Sequence, residues 1–219
     1  MSLTTNALVL SLTVVGIAAN AHAAPMFSTG AGTAVTTVHR SATFDSLDSI
    51  GIDLSAYEEG GLSVSAPDTS FIGFDALGNG STTGFFYGDD GNDSFVTIKA
   101  TDGATFEAIE FRLGDGYGAG KNSLLWETRL NGVKTGSGFV ADLATGVAVG
   151  WKDSSGFDEL LVAADQFFTA SSTFGDFQAI ALDDVSAQLA NVPEPASLAL
   201  VGVGLMTLGG RAWRRRPIR

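Results

Sequence analysis

From about residue 60 to residue 190 the chain alternates apolar and polar positions in short runs, broken by Gly, Asn and Asp roughly every 8–12 residues. In Ile109-Glu110-Phe111-Arg112-Leu113 the odd positions are apolar and the even ones charged. Leu124, Trp126, Thr128 and Leu130 form one face of the next run, with Glu127 and Arg129 on the other, and the alternation with Leu124 and Leu130 places Trp126 in a core. Further strands are predicted at 62–66, 71–75, 84–87, 95–100, 147–151, 159–163 and 178–187. Leu130-Asn131-Gly132-Val133 has the signature of a type I′ hairpin, and Thr101-Asp102-Gly103 suggests a second one. No long segment of helical period competes. The predicted fold is therefore all-β, a single antiparallel β-sandwich of jelly-roll type.

One strand breaks its own pattern. In Ala179-Ile180-Ala181-Leu182-Asp183-Asp184-Val185, the apolar residues Ile180 and Leu182 share one parity, while Val185, Ala187 and Leu189 have the other. A side chain points to alternate faces with period two, so a change of parity at Asp183-Asp184 predicts a β-bulge or the end of a buried face.

The two ends read differently from the middle. Residues 7–19 are an apolar stretch, and Ala21-His22-Ala23 is a small-x-small site for cleavage before Ala24, so residues 1–23 read as a secretory signal peptide for signal peptidase and the export machinery. Its departure from pattern is a start, Met1 to Asn6, without Lys or Arg. At the other end, residues 192–219 begin Val-Pro-Glu-Pro-Ala-Ser, continue through an apolar run and finish in arginines. Pro193 and Pro195 fix φ and lack a donor, so they cannot extend a strand ladder. The 15 uncharged residues 196–210 would make a helix of about 22 Å, and counting through Trp213 gives about 27 Å, short of the usual core of about 30 Å but workable in a thin or locally thinned bilayer. The helix is taken as about 197–213 and the basic end as 211–219. Arg211, Arg214, Arg215, Arg216 and Arg219 supply the positive-inside signal for a short transmembrane helix with its C-terminus in the cytoplasm.

This order of motif, helix and basic end resembles the PEP-CTERM sorting domain of Gram-negative bacteria, over these 28 residues only. The resemblance implies export, transient retention in the inner membrane, and recognition near Pro193, Glu194 and Pro195 by an exosortase. It also implies removal of the helix and release of the body to the cell surface or to exopolysaccharide.

Composition sharpens the division. Residues 24–191 carry 23 Asp and Glu against 7 Lys and Arg, a net of −16, whereas the tail is +4. So acidic a body repels nucleic acid and anionic lipid, attracts divalent cations and tolerates neutral polysaccharide. The chain has no cysteine, and only His39 remains once the segment with His22 is gone. Thiol catalysis and Cys-ligated zinc are excluded, and Ser-His-Asp chemistry has few parts to work with. A hydrolase here would use two carboxylates, and spacing selects no pair.

Candidate binding residues follow from local strings. Asp183-Asp184 beside an apolar strand needs hydrogen bonds or a cation for compensation. That string, with Gly156-Phe157-Asp158-Glu159-Leu160 and Tyr57-Glu58-Glu59-Gly60-Gly61-Leu62, resembles jelly-roll carbohydrate-binding modules. In those the last strand pairs near the first and an Asp there joins a structural calcium site. The resemblance makes Asp183, Glu58 and Glu59 candidate calcium ligands, with capping of backbone amides as the alternative role. Asp89-Asp90-Gly91-Asn92-Asp93-Ser94 reads as an Asp/Asn/Gly turn lacking EF-hand spacing. Among the aromatics, Tyr87 and Tyr117 are the candidates for stacking on a sugar. The expected protein is thus an exported, non-catalytic surface or matrix module associated with exopolysaccharide. A carboxylate-dependent glycan hydrolase and a structural biofilm protein without a discrete ligand are the alternatives.

Overall fold

The computed structural model describes residues 24–45, 54–74, 84–88, 95–114, 121–165, 167–174 and 180–190; within 54–74 and 84–88 the side chains described are those of 56–66 and Phe86. The predicted signal peptide, Asp89–Ser94, Tyr117 and the whole sorting tail lie outside these residues. Twelve strands are present: β1 (Met26–Thr29), β2 (Arg40–Ala42), β3 (Leu54–Glu59), β4 (Leu62–Phe74), β5 (Gly84–Gly88), β6 (Val96–Ala100), β7 (Phe106–Gly114), β8 (Lys121–Leu130), β9 (Val133–Ala144), β10 (Ala148–Phe157), β11 (Glu159–Asp165) and β12 (Ile180–Leu189). All pair antiparallel, and no helix occurs among the described residues.

The sandwich arises because β4 serves two sheets. Its first residues, Leu62 to Ser65, pair with β6, and its last, Ser70 to Phe74, pair with β5. One sheet then runs β1-β10-β7-β12-β5, with β2 also on β12, and the other runs β6-β11-β8-β9, with β3 flanking β4. The inner faces meet on aromatic side chains. Trp151 on β10 packs against Phe27 and Phe111, each at 5.5 Å between ring centroids, and across the sandwich against Trp126 on β8 at 6.1 Å. Trp126 is buried, as its alternation predicts. Burying one such ring withdraws about 150–250 Å² from water, so these residues dominate the core.

The Asn131-Gly132 hairpin forms as expected, with φ of 53° and 76° joining β8 to β9. The second predicted hairpin does not. Thr101-Asp102-Gly103 makes a tight turn, closed by the Gly103 N–H on the Ala100 carbonyl and by Asp102 Oδ1 accepting the Ala104 N–H. However, β6 pairs with β4 and β11 while β7 pairs with β10 and β12, so the turn carries the chain from one sheet to the other. Turn chemistry fixes the local reversal, not which strands become partners.

The parity change in β12 is a bulge. Between Asp183↔Arg112 and Ser186↔Glu110, β12 spends one more residue than β7. Asp184 takes φ 51° there, and Asp183 Oδ1 accepts the Asp184 N–H at 2.7 Å. The extra residue lets Ile180, Leu182, Val185 and Ala187 all enter the same core. β12 also pairs with β2, so the last strand lies near the start of the body.

Both outer faces are partly covered. Residues 30–37 lie over the β7 side, where Glu110 accepts the N–H groups of Gly32 at 2.6 Å and Ala34 at 3.1 Å and is itself buried. Residues 167–174 cover the outer face of the other sheet, where Phe168 joins Leu125 and Ala163, with Phe95, Phe139 and Phe174 around them.

Candidate functional site

The outer face of β8 and β9 carries a groove of mixed chemistry. Alternation puts Leu125 and Glu127 on the outer side of β8, in register with Phe139 and Ser137 of β9. A register shift between Thr128 and Arg129 gives β9 one extra residue, which reverses parity and brings Lys134 onto the face shared by Ser137 and Phe139. The segment 170–174 forms the opposite wall, with Phe174 held edge-on to Phe95 at 5.6 Å. Together they enclose about 340 Å³ open to solvent. Leu125, Phe139 and Phe174 are its apolar surfaces, and Glu127, Lys134, Ser137, Ser172 and Thr173 its polar ones.

Trp126 also borders this groove, although it points to the core. Opposite it β9 has Gly138, where a Cβ would lie 2.7 Å from Trp126 Nε1. The glycine lets the indole fold across the edge strand. Trp126 Nε1 is buried and finds no acceptor among the described residues.

Charge is organised along the same four strands. Glu127 takes Arg129 Nε at 2.6 Å and Lys134 Nζ at 2.5 Å; Arg129 reaches Glu159 at 3.7 Å, and Glu159 takes Lys99 Nζ at 3.0 Å. Burial pushes the Glu127 carboxyl up, but the hydrogen bonds and charges of Lys134 and Arg129 outweigh it and hold the group below the usual range. The pattern extends over the body. Arg40 pairs with Asp102, Arg112 with Asp184, Lys121 with Asp142 and Lys152 with Glu107. All 7 Lys and Arg of residues 24–191 are thus matched to carboxylates, and the surplus on the body is entirely negative.

The residues picked from sequence lie on several elements: Glu58 and Glu59 on β3, Tyr87 on β5 and Asp183 on β12, with Tyr117 outside the described residues. Glu59 accepts the N–H groups of Thr43 at 3.0 Å and Phe44 at 2.8 Å, and the Tyr57 hydroxyl at 3.2 Å. Those are the backbone-capping contacts that sequence left open as its alternative role. Glu58 is exposed, and Asp183 is buried at the β12 bulge. No group of three or more His, Asp or Glu side chains gathers around one point among the described residues. Tyr87 lies within β5, its backbone between Phe71 of β4 and Ala181 of β12, and its side chain is outside the described residues. His39 is exposed, and its Nδ1 accepts the Leu189 N–H at 2.9 Å, tying the chain to β12. Ala24 is described and exposed; Ala21 and Ala23 are not described. The groove residues Lys134, Phe139 and Phe174 escaped sequence reading. The signal available was the run of phenylalanines, Phe167, Phe168 and Phe174, inside a segment without strand periodicity.

Comparison with known proteins decides the tail. Residues 191–216 match the PEP-CTERM protein-sorting motif. The chain ends in a PEP-CTERM sorting signal. That signal marks an exported protein, handled by an exosortase through a membrane-anchored C-terminal segment. Pro193, Glu194, Pro195, Arg211, Arg214, Arg215 and Arg216 all fall within the matched stretch, which itself lies outside the described residues. No helix long and apolar enough to cross a membrane occurs among the described residues. The chain is similar to a DUF4465 family protein from Bacteroides caccae ATCC 43185, at 9% identity and a TM-score of 0.37, covering 75% of this chain and 99% of that one. A likeness that loose says nothing of function. No curated protein matches the chain.

Proposed function

We propose that the exported body is a non-catalytic module that binds neutral exopolysaccharide in the β8–β9 groove, at the cell surface or in the extracellular matrix. The observation that carries this is the groove's composition. Phenyl faces at Phe139 and Phe174 lie beside a carboxylate, an ammonium and serine hydroxyls, the mixture that suits a sugar ring with apolar faces and polar edges. An acidic polymer is disfavoured, because every cation of the body already has a carboxylate partner.

The hydrolase reading is weaker on this geometry. A general acid needs a carboxyl held above its ordinary pKa, and Glu127, the carboxylate of the groove, is held below it by two cations. Calcium enters the proposal as a structural ion of the body, independent of the groove. Signal peptidase cleaving before Ala24 completes the proposed route.

A glycan array run with and without EDTA tests the binding. The expected result is retention of neutral glycans, weakened about tenfold by Phe174→Ala. No bound glycan in either condition removes the proposal and leaves the structural-protein reading. The same samples, melted with calcium and with EDTA, test the ion: an identical melting temperature removes it.

A further inference from the structure

Asp153 of β10 has the inward parity of Trp151 and is 3% exposed. Its Oδ1 accepts the Ser155 N–H at 2.7 Å, while its buried Oδ2 has no hydrogen-bond partner among the described residues. A buried carboxylate oxygen without a donor is a rarity that calls for a missing partner. The same residue lines a cavity of about 200 Å³ whose other walls are Ala24, Met26, Lys152 and Ser154. Lys152, the single cation in that lining, has the opposite parity and reaches Glu107 at 3.5 Å instead. Glu107 is the other ionisable group drawn to this corner and is further engaged by Gln188.

We infer that hydrolysis before Ala24 supplies the missing partner, the new α-ammonium of Ala24 pairing with Asp153 Oδ2. This rests on the cleavage site read at Ala21-His22-Ala23. The step consumes one water, leaves a carboxylate on Ala23 of the departing signal and an ammonium on Ala24; in the precursor the same nitrogen is an uncharged amide. The contact would anchor an edge that matters. Among the described residues β1 pairs only with β10, and Pro25, next to Ala24, is buried against Gly136 of β9 in the opposite sheet, where a Cβ would meet Pro25 Cδ at 2.4 Å. Ala24 therefore sits where the two sheets close on each other. Maturation at the N-terminus finishes that closure, and the precursor lacks it.

The test uses the exported full chain, purified from membranes in detergent. N-terminal sequencing comes first, and a start other than Ala24 overturns the cleavage reading itself. With Ala24 confirmed, the rate of acylation of the α-amine by an activated ester is measured at pH 7 for the wild type, for Asp153→Asn, and for a variant with one extra alanine before Ala24. A carboxylate partner that raises the amine's pKa by one unit lowers the reactive fraction about tenfold. Slow acylation in the wild type and about tenfold faster acylation in both variants is the expected result. Equal rates in all three overturn the inference while leaving the cleavage site standing. The extra-alanine variant keeps Asp153, so the comparison survives even if Asp153→Asn folds poorly.

Discussion

Glu127 and Glu110 show how much a single carboxylate can differ from its sequence neighbours. Both sit at positions whose alternation marks an outer, polar face, yet both are buried, because a loop covers each face. Glu110 is matched by two amides and Glu127 by two cations. Glu127 has the folded-state pKa depressed, so its contribution to stability is fully present above the unfolded value and is lost as the pH falls through the lower folded value. Glu127→Gln should cost about 2 kcal/mol at pH 7 in urea unfolding, since it strands Lys134 and leaves Arg129 only its longer contact with Glu159, with both cations partly exposed. The cost should shrink toward zero as the pH falls through the depressed folded-state value, where the wild-type carboxyl is protonated too. A pH-independent cost would mean that packing, not charge, is what Glu127 supplies. Sequence located Glu127 and Arg129 on one face correctly. It could not show that Lys134 joins them, because that depends on one extra residue in β9.

The bulge in β12 is the element most legible beforehand and the most informative to disturb. Apolar parity alone placed it at Asp183-Asp184, and the register shift and φ of 51° are there. The hairpin at Asn131-Gly132 was equally legible, since its turn type is written in two residues. The turn at 101–103 was misread as a hairpin because pairing is settled by which sheet each strand's apolar face fits, a long-range matter. Asp184 also meets Arg112 Nε at 3.1 Å, but both are well exposed and such a pair contributes little. The bulge therefore depends on backbone conformation. Asp184→Gly should change stability by under about 0.5 kcal/mol, while Asp184→Val should cost about 1–2 kcal/mol, because a β-branched residue resists positive φ. Equal losses for the two in denaturant unfolding would assign the stability to the ion pair instead.

At the scale of the whole molecule, the chain divides into three stretches of different composition. An apolar N-terminal segment, an acidic sandwich at −16 and a basic tail at +4 have incompatible preferences for membrane and water. The tail's sorting motif was legible in sequence, because its prolines, apolar run and arginines lie in one local stretch, and residues 191–216 match it. The groove was not, because its walls come from β8, β9 and a segment more than 30 residues further on. What lies at the two ends of the released protein tests this division most directly. Intact-mass and terminal-peptide analysis of the exported protein should give a chain that starts at Ala24 and ends close to Pro193-Glu194-Pro195, without Arg211 to Arg219. A released protein that still carries those arginines would contradict the account.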